Sequence, residues 1–254
     1  MRFTPFAFAG GQEFLIDYLI VGGGSKGKSV SDTYVNGGGA GKVLSGSVAT
    51  YSGDIFNIIV GAGGSGSVIN GETSSLQIKS STTYYAQGGS GSVSGNGFAA
   101  GSDTTCGALP VAGGGGGAGA VGANGNCPAF PTQQPGNGGI GLVWLNGTYY
   151  GGGGGAGNSS LTGITIGSGG LGGGGNGGTK NGDTQATIPA TSGTDGLGGG
   201  GGGAGYVGGG PGNGGSGSVI IRYPAPQRAY GGNSIIESGS FVYHTFTSNG
   251  TLTT

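Results

Sequence analysis

The sequence predicts an all-β or irregular fold with almost no α-helix, in which short antiparallel strands at both ends of the chain flank a glycine-rich centre. Glycine accounts for 74 of the 254 residues, and so much glycine disfavours helix wherever it recurs. Blocks rich in β-branched and aromatic residues lie near both ends and favour strands there. Several Asn-Gly pairs follow or interrupt these blocks, and this pair is typical of the type I′ turns that join antiparallel strands.

Five blocks predict individual strands. The block over 13–21 becomes apolar at every position toward its end, which predicts a strand that is buried there on both faces. The blocks over 42–48 and 54–60 predict two further strands. Near the other end, residues 218–223 predict a strand that stops at a pair of prolines, and residues 241–247 alternate like a half-buried strand.

Three Asn-Gly pairs predict β-hairpins, because a type I′ turn needs a positive φ at both of its central residues. The predicted hairpins cover 68–73, 142–150 and 245–252. Trp144 lies in the middle of a strand of the second hairpin, so we expect it to pack. The single histidine, His244, lies in the last predicted strand, and no catalytic partner can be assigned to it.

The centre of the chain, residues 87–217, alternates glycine runs with polar segments and has no fixed repeat. Glycine runs suit polyproline II-type helices, which have three residues per turn and no internal hydrogen bonds. Because buried backbone groups are almost always hydrogen-bonded, such helices must pair with one another, and glycine lets them approach on all sides. We therefore predict a central bundle of glycine-rich polyproline II-type helices with variable loops at its two ends.

These patterns divide the chain into three parts. We predict an N-terminal β-rich mounting region over 1–86 and a glycine-rich scaffold over 87–217. C-terminal strands over 218–254 are expected to pack near the N-terminal strand. A single domain that contains all three parts is the alternative.

Composition excludes several classes of function. Charged residues make up 7% of the chain, the formal net charge is −1 and the basic residues form no stripe, so we expect no nucleic-acid partner. No apolar run approaches the length of a membrane span, so we expect no membrane insertion. Two cysteines and one distant histidine are too few for a zinc site, and we expect no metal and no cofactor. Cys106 and Cys127 form either one disulfide or two free thiols.

Residues 22–29, GGGSKGKS, match the P-loop pattern G-x-x-x-x-G-K-[ST] and follow a predicted strand. A P-loop holds phosphate at the N-terminus of a helix, but the residues over 30–38 have no helical face. A glycine-rich chain also produces such matches by chance. The nine acidic residues are scattered and suggest no catalytic pair, so we expect no enzyme.

Four blocks have a specific combined pattern: 16–24 (IDYLIVGGG), 37–44 (GGGAGKVL), 58–64 (IIVGAGG) and 217–224 (GSVIIRYP). Together they resemble the glycine-rich domain of many phage and large-virus fibre proteins, over nearly the whole chain. The segment over 243–251 (YHTFTSNGT) resembles one that often precedes the first block in that family, although here it comes last. This order implies that the two termini share one sheet or that the last strand pairs with a neighbouring subunit. The resemblance of the middle region to tail-fibre tip adhesins implies a sandwich of polyglycine helices whose distal loops contact the host receptor.

Aromatic residues in or beside the variable segments are the candidate receptor contacts, because aromatic side chains among Ser, Asn and Gly form a low-entropy recognition surface. They are Tyr84, Tyr85, Phe98, Phe130, Tyr149, Tyr150 and Tyr206. The alternative is that they cover the glycine bundle as lids. Four N-terminal aromatic residues are the candidates for a virion-mounting surface: Phe3, Phe6, Phe8 and Phe14. A secretory signal fits this segment less well, because its apolar patch is short and is broken by Pro5.

We expect a non-enzymatic virion structural protein, either a phage tail-fibre tip or a receptor-binding adhesin. It would recognise a host surface polysaccharide or outer-membrane protein through loops on a rigid scaffold. The alternative is a capsid decoration or head-fibre protein, whose loops contact neighbouring subunits. The expected partners are other virion proteins of the fibre, tail or capsid, with homo-oligomerisation left open. The expected location is the virion, assembled in the host cytoplasm and exposed outside the cell.

Overall fold

The computed structural model describes residues 13–29, 35–79, 82–158, 165–179, 188–205 and 209–254. Within these ranges the chain forms fifteen β-strands and no helix, and all strand pairs in the sheets are antiparallel. The predicted all-β class is therefore confirmed. In the same ranges, no helix is long and apolar enough to cross a membrane.

Five strands form the larger sheet, named sheet I: β1 (Glu13–Val21), β2 (Val43–Tyr51), β12 (Ser218–Pro224), β13 (Ser234–Ser238) and β14 (Phe241–Phe246). Their order across the sheet is β13-β14-β12-β1-β2. The first strand thus lies beside a strand from the other end of the chain, in a register that pairs Asp17 with Arg222. The sequence predicted four of these strands, with nearly the observed bounds: β1, β2, β12 and β14.

Four strands form sheet II: β3 (Ile55–Ile59), β4 (Ser74–Ile78), β5 (Thr82–Ala86) and β15 (Gly250–Thr253). Their order is β15-β3-β4-β5. The C-terminal strand β15 pairs with β3 and places Leu252 opposite Phe56. The strand predicted over 54–60 is β3.

The main hydrophobic core lies between sheets I and II. Its fully buried side chains include Ile16, Ile20, Phe56, Leu76 and Ile221. They recur at every second position of their strands, as expected where one face of a strand is buried against another sheet. Since each sheet contains strands from both ends of the chain, the core closes only when the two ends meet.

Sheets I and II with the core between them are called the sandwich. Three hairpins lie outside it: β6 (Thr104–Cys106) with β7 (Leu109–Val111), β8 (Asn126–Ala129) with β9 (Thr132–Gln134), and β10 (Leu142–Val143) with β11 (Tyr149–Tyr150). The last one confirms the hairpin predicted over 142–150, although its turn is not type I′: Lys79 is the one described residue other than glycine with a positive φ, so Asn146 has none. Its Gly147 has a φ of 77°, a left-handed conformation that the turn requires and that glycine adopts without strain.

The hairpins predicted over 68–73 and 245–252 are wrong. In the first, an added Cβ on Gly71 would lie 2.0 Å from the carbonyl oxygen of Gly23, so this glycine permits close backbone approach and makes no type I′ turn. In the second, β14 and β15 belong to different sheets. There the side-chain oxygen of Asn249 accepts a hydrogen bond from the N–H of Val60 over 2.9 Å, so the Asn-Gly pair holds the start of β15 against the end of β3.

Between the strands, glycine-rich segments are hydrogen-bonded to one another through their backbones. In the segment over 22–28, every N–H donates to a carbonyl of another segment, and the acceptor changes with a period of three. Gly22, Ser25 and Lys28 donate to 36–42, Gly23 and Lys26 donate to 69–72, and Gly24 and Gly27 donate to 212–215. Successive N–H groups therefore point in three directions.

The segment over 151–158 has six such neighbours. The N–H of Gly151 donates to Leu197, and the N–H groups over 152–158 donate to segments over 35–38, 136–139 and 172–178, again with a period of three. Its carbonyls accept from segments over 115–118, 167–170 and 200–203. All eight of its residues are buried, so backbone surrounds backbone on every side.

Glycine is required in these segments by the close approach of neighbouring backbones. An added Cβ on Gly154 would lie 2.0 Å from the carbonyl oxygen of Gly201, nearer than real Cβ atoms approach. The few other residues there are small: Ala112, Ala156 and Ala204 are buried and pack with Val35 in a cluster of their own.

The glycine-rich segments run between sheet I and an opposite end of the molecule. The segment over 151–158 begins after Tyr150, which packs on the outer face of sheet I. It ends at Asn158, which bridges to Val111 of β7. The segment over 112–118 runs back from β7 to sheet I. The two hairpins at this opposite end, β6–β7 and β8–β9, are named the far-end hairpins.

Candidate functional site

The far-end hairpins are joined to each other covalently. A disulfide links Cys106 in β6 to Cys127 in β8, with 5.3 Å between the Cα atoms and a sequence separation of 21 residues. Of the two states that the sequence left open for these cysteines, the structure has the bonded one. Cys106 is fully buried, so the disulfide lies inside the paired hairpins and fixes one relative to the other.

Phe130 lies at the turn of the β8–β9 hairpin, and 69% of its surface is exposed. Its ring contacts the turn of the other hairpin, because an added Cβ on Gly107 would come within 2.9 Å of it. Gly107 has a φ of 66°, which suits glycine at this turn. The bond between Phe130 and Pro131 is cis. The far end therefore presents an exposed aromatic ring in a defined position.

Polar contacts tie the far-end hairpins to each other and to the segments beneath them. The buried Gln133 donates through Nε2 to the carbonyl of Pro110 over 3.3 Å, and its own carbonyl accepts from Thr165 Oγ1 over 2.6 Å. Asp103 accepts from the N–H of Gly113 through Oδ1 over 2.8 Å, just before β6 begins. The two hairpins thus emerge from a fixed base.

Three other predicted receptor contacts are exposed, but they lie away from the far end. Tyr85 is on the outer face of sheet II. Tyr149 is in the β10–β11 hairpin, beside sheet I. Phe98 follows Asn96, whose Oδ1 accepts from the N–H of Val43 at the start of β2. Among the described candidates, the structure therefore places Phe130 alone at the far end.

Two further candidates are covered side chains. Tyr84 packs on Tyr18 with 5.0 Å between ring centroids, at the border of the main core. Tyr150 is 3% exposed, and its hydroxyl accepts from Nδ2 of Asn146 over 2.8 Å. Both therefore cover the interior, as the lid alternative expects. Tyr206 lies outside the described residues.

Of the four predicted mounting residues, Phe3, Phe6 and Phe8 lie outside the described residues. Phe14 in β1 packs edge-on against Tyr223, with 5.6 Å between ring centroids. The guanidinium of Arg228 lies 5.6 Å from its ring centroid. Phe14 therefore stabilises the edge of the main core.

The segment that matches the P-loop pattern is part of the glycine-rich hydrogen-bond network. All seven N–H groups over 22–28 donate to backbone carbonyls. A phosphate-binding loop needs several N–H groups free and directed at one point. The three-residue period directs them at three different segments, so no phosphate cradle exists here.

Among the described residues, charged groups are few and do not converge on the far end. The described parts of the chain contain no group of three or more His, Cys, Asp or Glu that could hold a metal ion. They contain two ion pairs, Lys79 with Asp54 at 3.0 Å and Arg222 with Asp17 at 2.9 Å. Neither ion pair lies in the far-end hairpins.

Residues 11–224 match the glycine-rich domain family. The chain belongs to this family. Its glycine-rich domain extends from just before β1 to Pro224 at the end of β12 and includes the far-end hairpins. Strands β13, β14 and β15 follow the matched region but complete both sheets. No curated protein and no solved structure matches the chain.

Sequence reasoning missed the polar residues that hold the site. Gln133 lies in a polar segment that the sequence assigned to a loop, and nothing nearby marks it as buried. Asp17 lies within the strand predicted over 13–21, and nothing in the sequence shows that it pairs with Arg222, 205 positions away. Only the strand pairing of β1 with β12 could have revealed that contact, since the register sets the two residues opposite each other.

Proposed function

We propose that this protein is a non-enzymatic virion protein, a phage tail-fibre tip or receptor-binding adhesin. Its far-end loops bind a host surface molecule, and its glycine-rich segments form the rigid support. The observation that carries this proposal is the segment over 151–158, which is buried throughout and hydrogen-bonded to six neighbours. A preorganised support lets its loops bind with a smaller loss of entropy.

The glycine-rich segments are proposed to be polyproline II-type helices in one bundle. A polyproline II helix has three residues per turn, so its N–H groups point in three directions in turn. The donor period of three over 22–28 and 152–158 fits this geometry. At about 3.1 Å per residue, eight residues would hold the loops about 25 Å from the sheets. In this arrangement 1–86, 87–217 and 218–254 make one domain.

The far-end hairpins are proposed as the main recognition surface. Loops on a rigid scaffold can vary in sequence without loss of the fold. Phe130 has the exposure and the fixed position expected of an aromatic anchor. The proposed receptor is a surface polysaccharide or an outer-membrane protein, and the sandwich side would attach to other virion proteins. Several copies on one particle would raise avidity.

A capsid decoration or head-fibre protein is the second candidate. Ile55, Ile59 and Tyr85 are each more than half exposed and share the outer face of sheet II. A neighbouring virion subunit would cover such a face. In this alternative the loops contact subunits and not a host receptor.

The test is binding of purified, fluorescently labelled protein to bacterial cells of strains with and without surface polysaccharide. The key variant is Phe130→Ser, and the matched control is Tyr230→Ser, because Tyr230 is 73% exposed but lies beside sheet II. Loss of an aromatic anchor costs about 2 kcal/mol or more, so we expect roughly 30-fold weaker cell binding for Phe130→Ser. The control variant should bind normally.

Two results would contradict the proposal. If folded protein bound to no cells that are permissive for the virus, the proposed adhesin function would be wrong. Equal binding of the Phe130 variant and the wild type would remove the far-end assignment. Binding to virions lacking the protein, with no binding to cells, would establish the decoration alternative.

A further inference from the structure

A cleft of about 400 Å³ opens on the outer face of sheet I, beside the β10–β11 hairpin. Asp17, Ser45 and Ser47 of β1 and β2 form one side, and residues 143–145 of the hairpin form the other. The cleft lies at the opposite end of the glycine-rich segments from the far-end hairpins. It therefore does not depend on the proposed recognition surface.

Asp17 retains hydrogen-bonding capacity toward this cleft. Its Oδ1 accepts from Ser47 Oγ over 2.6 Å, and its Oδ2 accepts from Arg222 Nε over 2.9 Å. A carboxylate can accept about four hydrogen bonds, so each oxygen can accept one more. The side chain of Asp17 is 21% exposed, which leaves it within reach of a ligand.

A contribution to stability does not by itself explain the ion pair between Asp17 and Arg222. The side chain of Arg222 is 14% exposed, and its guanidinium lies 4.2 Å from the ring centroid of Phe241 and 5.9 Å from that of Trp144. Replacing such a partly buried pair by apolar residues is often neutral or stabilising. Only 7% of this chain is charged, yet a charged pair lies at a cleft on a largely apolar face. This placement suits recognition.

The chemistry of the cleft selects a neutral, hydroxyl-rich ligand. An anion would meet the carboxylate of Asp17, and a cation would find that carboxylate already neutralised by Arg222. Asp17 and Ser47 accept hydrogen bonds from hydroxyl groups. Val143 and Leu145 are 56% and 55% exposed and provide apolar surface for C–H groups. We propose that this cleft binds one neutral sugar unit of a glycan.

The chain provides its own reporter for this site. Trp144 is the only tryptophan, and it lines the cleft. Its fluorescence would be followed while the full-length protein is titrated with the methyl glycosides of glucose, galactose, mannose and N-acetylglucosamine. We expect a saturable change with at least one of them and a Kd of about 1 mM.

Three variants test the assignment. Asp17→Asn should weaken the binding about tenfold or more, because it removes the charged acceptor. Leu145→Ser alters an exposed wall residue without disturbing the core and should also weaken binding. Asp54→Asn breaks the other ion pair, away from the cleft, and should leave the titration unchanged. Thermal unfolding of each variant would show that the fold is retained.

Three outcomes would overturn the proposal. One is the absence of a saturable change with any of the four glycosides up to about 100 mM, a hundred times the expected Kd. Another is equal weakening by Asp54→Asn and Leu145→Ser in folded protein. The third is a saturable response to the peptide Gly-Leu-Gly with none to the glycosides, which would assign the cleft to a peptide.

Discussion

The sandwich and the glycine-rich segments bury the chain in different ways. In the sandwich, large side chains such as Phe56 and Leu76 fill the space between two sheets. In the segment over 151–157, which is also fully buried, no side chain is larger than the methyl group of Ala156. A side-chain core adapts to small changes by repacking. Backbones in contact have no side chain that could move aside. The glycine-rich region should therefore tolerate much smaller changes in side-chain size than the sandwich does.

The stabilising forces differ as well. Apolar burial contributes about 25 cal/mol per Å² in the sandwich, whereas glycine has no side chain to bury. A backbone hydrogen bond contributes about 1 kcal/mol net, while ordering one residue costs about 1–2 kcal/mol. The glycine-rich region therefore depends on nearly every N–H having an acceptor. One displaced segment removes partners from several neighbours at once.

The largest expected effect comes from one added methyl group. Gly154→Ala would place a Cβ 2.0 Å from the carbonyl oxygen of Gly201, and neither backbone can yield without breaking hydrogen bonds. We expect the free energy of unfolding to fall by about 4 kcal/mol or more, beyond ordinary overpacking. Chemical denaturation monitored by circular dichroism would measure it.

The matched control is Gly210→Ala. An added Cβ there meets no atom within 4 Å, and Gly210 is exposed. This change should be neutral or stabilising by up to about 1 kcal/mol, because alanine restricts the unfolded chain. Similar free energies of unfolding for the two variants would show that the segments are loosely packed, and the contrast with the sandwich would disappear.

The two regions also differ in how far the sequence predicts them. Strand β1 was predicted with its observed bounds, because seven of its nine residues are apolar or aromatic and few other structures suit such a run. The turn at Gly147 was predicted from a local pair. Gly71 belongs to the same kind of pair, but its backbone lies against Gly23. A contact between distant segments overrode the local turn preference.

The candidate site was less predictable than the fold. Tyr84 and Tyr85 are neighbours in sequence, but one covers the core and the other faces outward, because successive strand residues point to opposite faces. Only the sheet register tells them apart. The position of Phe130 at the far end depends on the path of several glycine-rich segments, which a single sequence does not reveal.

A smaller effect is expected from the disulfide. The disulfide spans 21 positions of the sequence, and it should stabilise the folded protein by about 3 kcal/mol because it lowers the entropy of the unfolded chain. The Cys106→Ser/Cys127→Ser variant should lose amide-exchange protection in 104–134 and keep it in β1 and β12. Reduced wild-type protein is the control and should behave like the variant. Equal loss of protection in β1 would show that the far end and the sandwich unfold as one unit.

His244 gives the sandwich a titratable group that the segment over 151–158 lacks. It is fully buried, with Nε2 2.8 Å from the hydroxyl of Tyr223 and Nδ1 2.7 Å from the carbonyl oxygen of Gly231. A carbonyl oxygen can only accept, so Nδ1 carries the hydrogen of the neutral ring and Nε2 accepts from the Tyr223 hydroxyl, which itself accepts from the N–H groups of Arg228 and Ala229. Nδ1 then donates to Gly231, and the neutral ring is satisfied at both nitrogens.

Burial lowers the pKa of His244, and its hydrogen bond to Gly231 only partly opposes this. The unfolded chain, with a histidine pKa of about 6.5, therefore binds more protons than the folded one below that pH. Stability should be complete above about pH 6.5 and fall as pH decreases, by up to about 1.4 kcal/mol per pH unit. His244→Gln keeps hydrogen-bonding groups without titrating, so its free energy of unfolding should be flat between about pH 5 and 7. Denaturant unfolding of the wild type and of His244→Gln across that range would measure both free energies of unfolding. If the two free energies changed with pH in parallel, the pH dependence would arise outside the sandwich core.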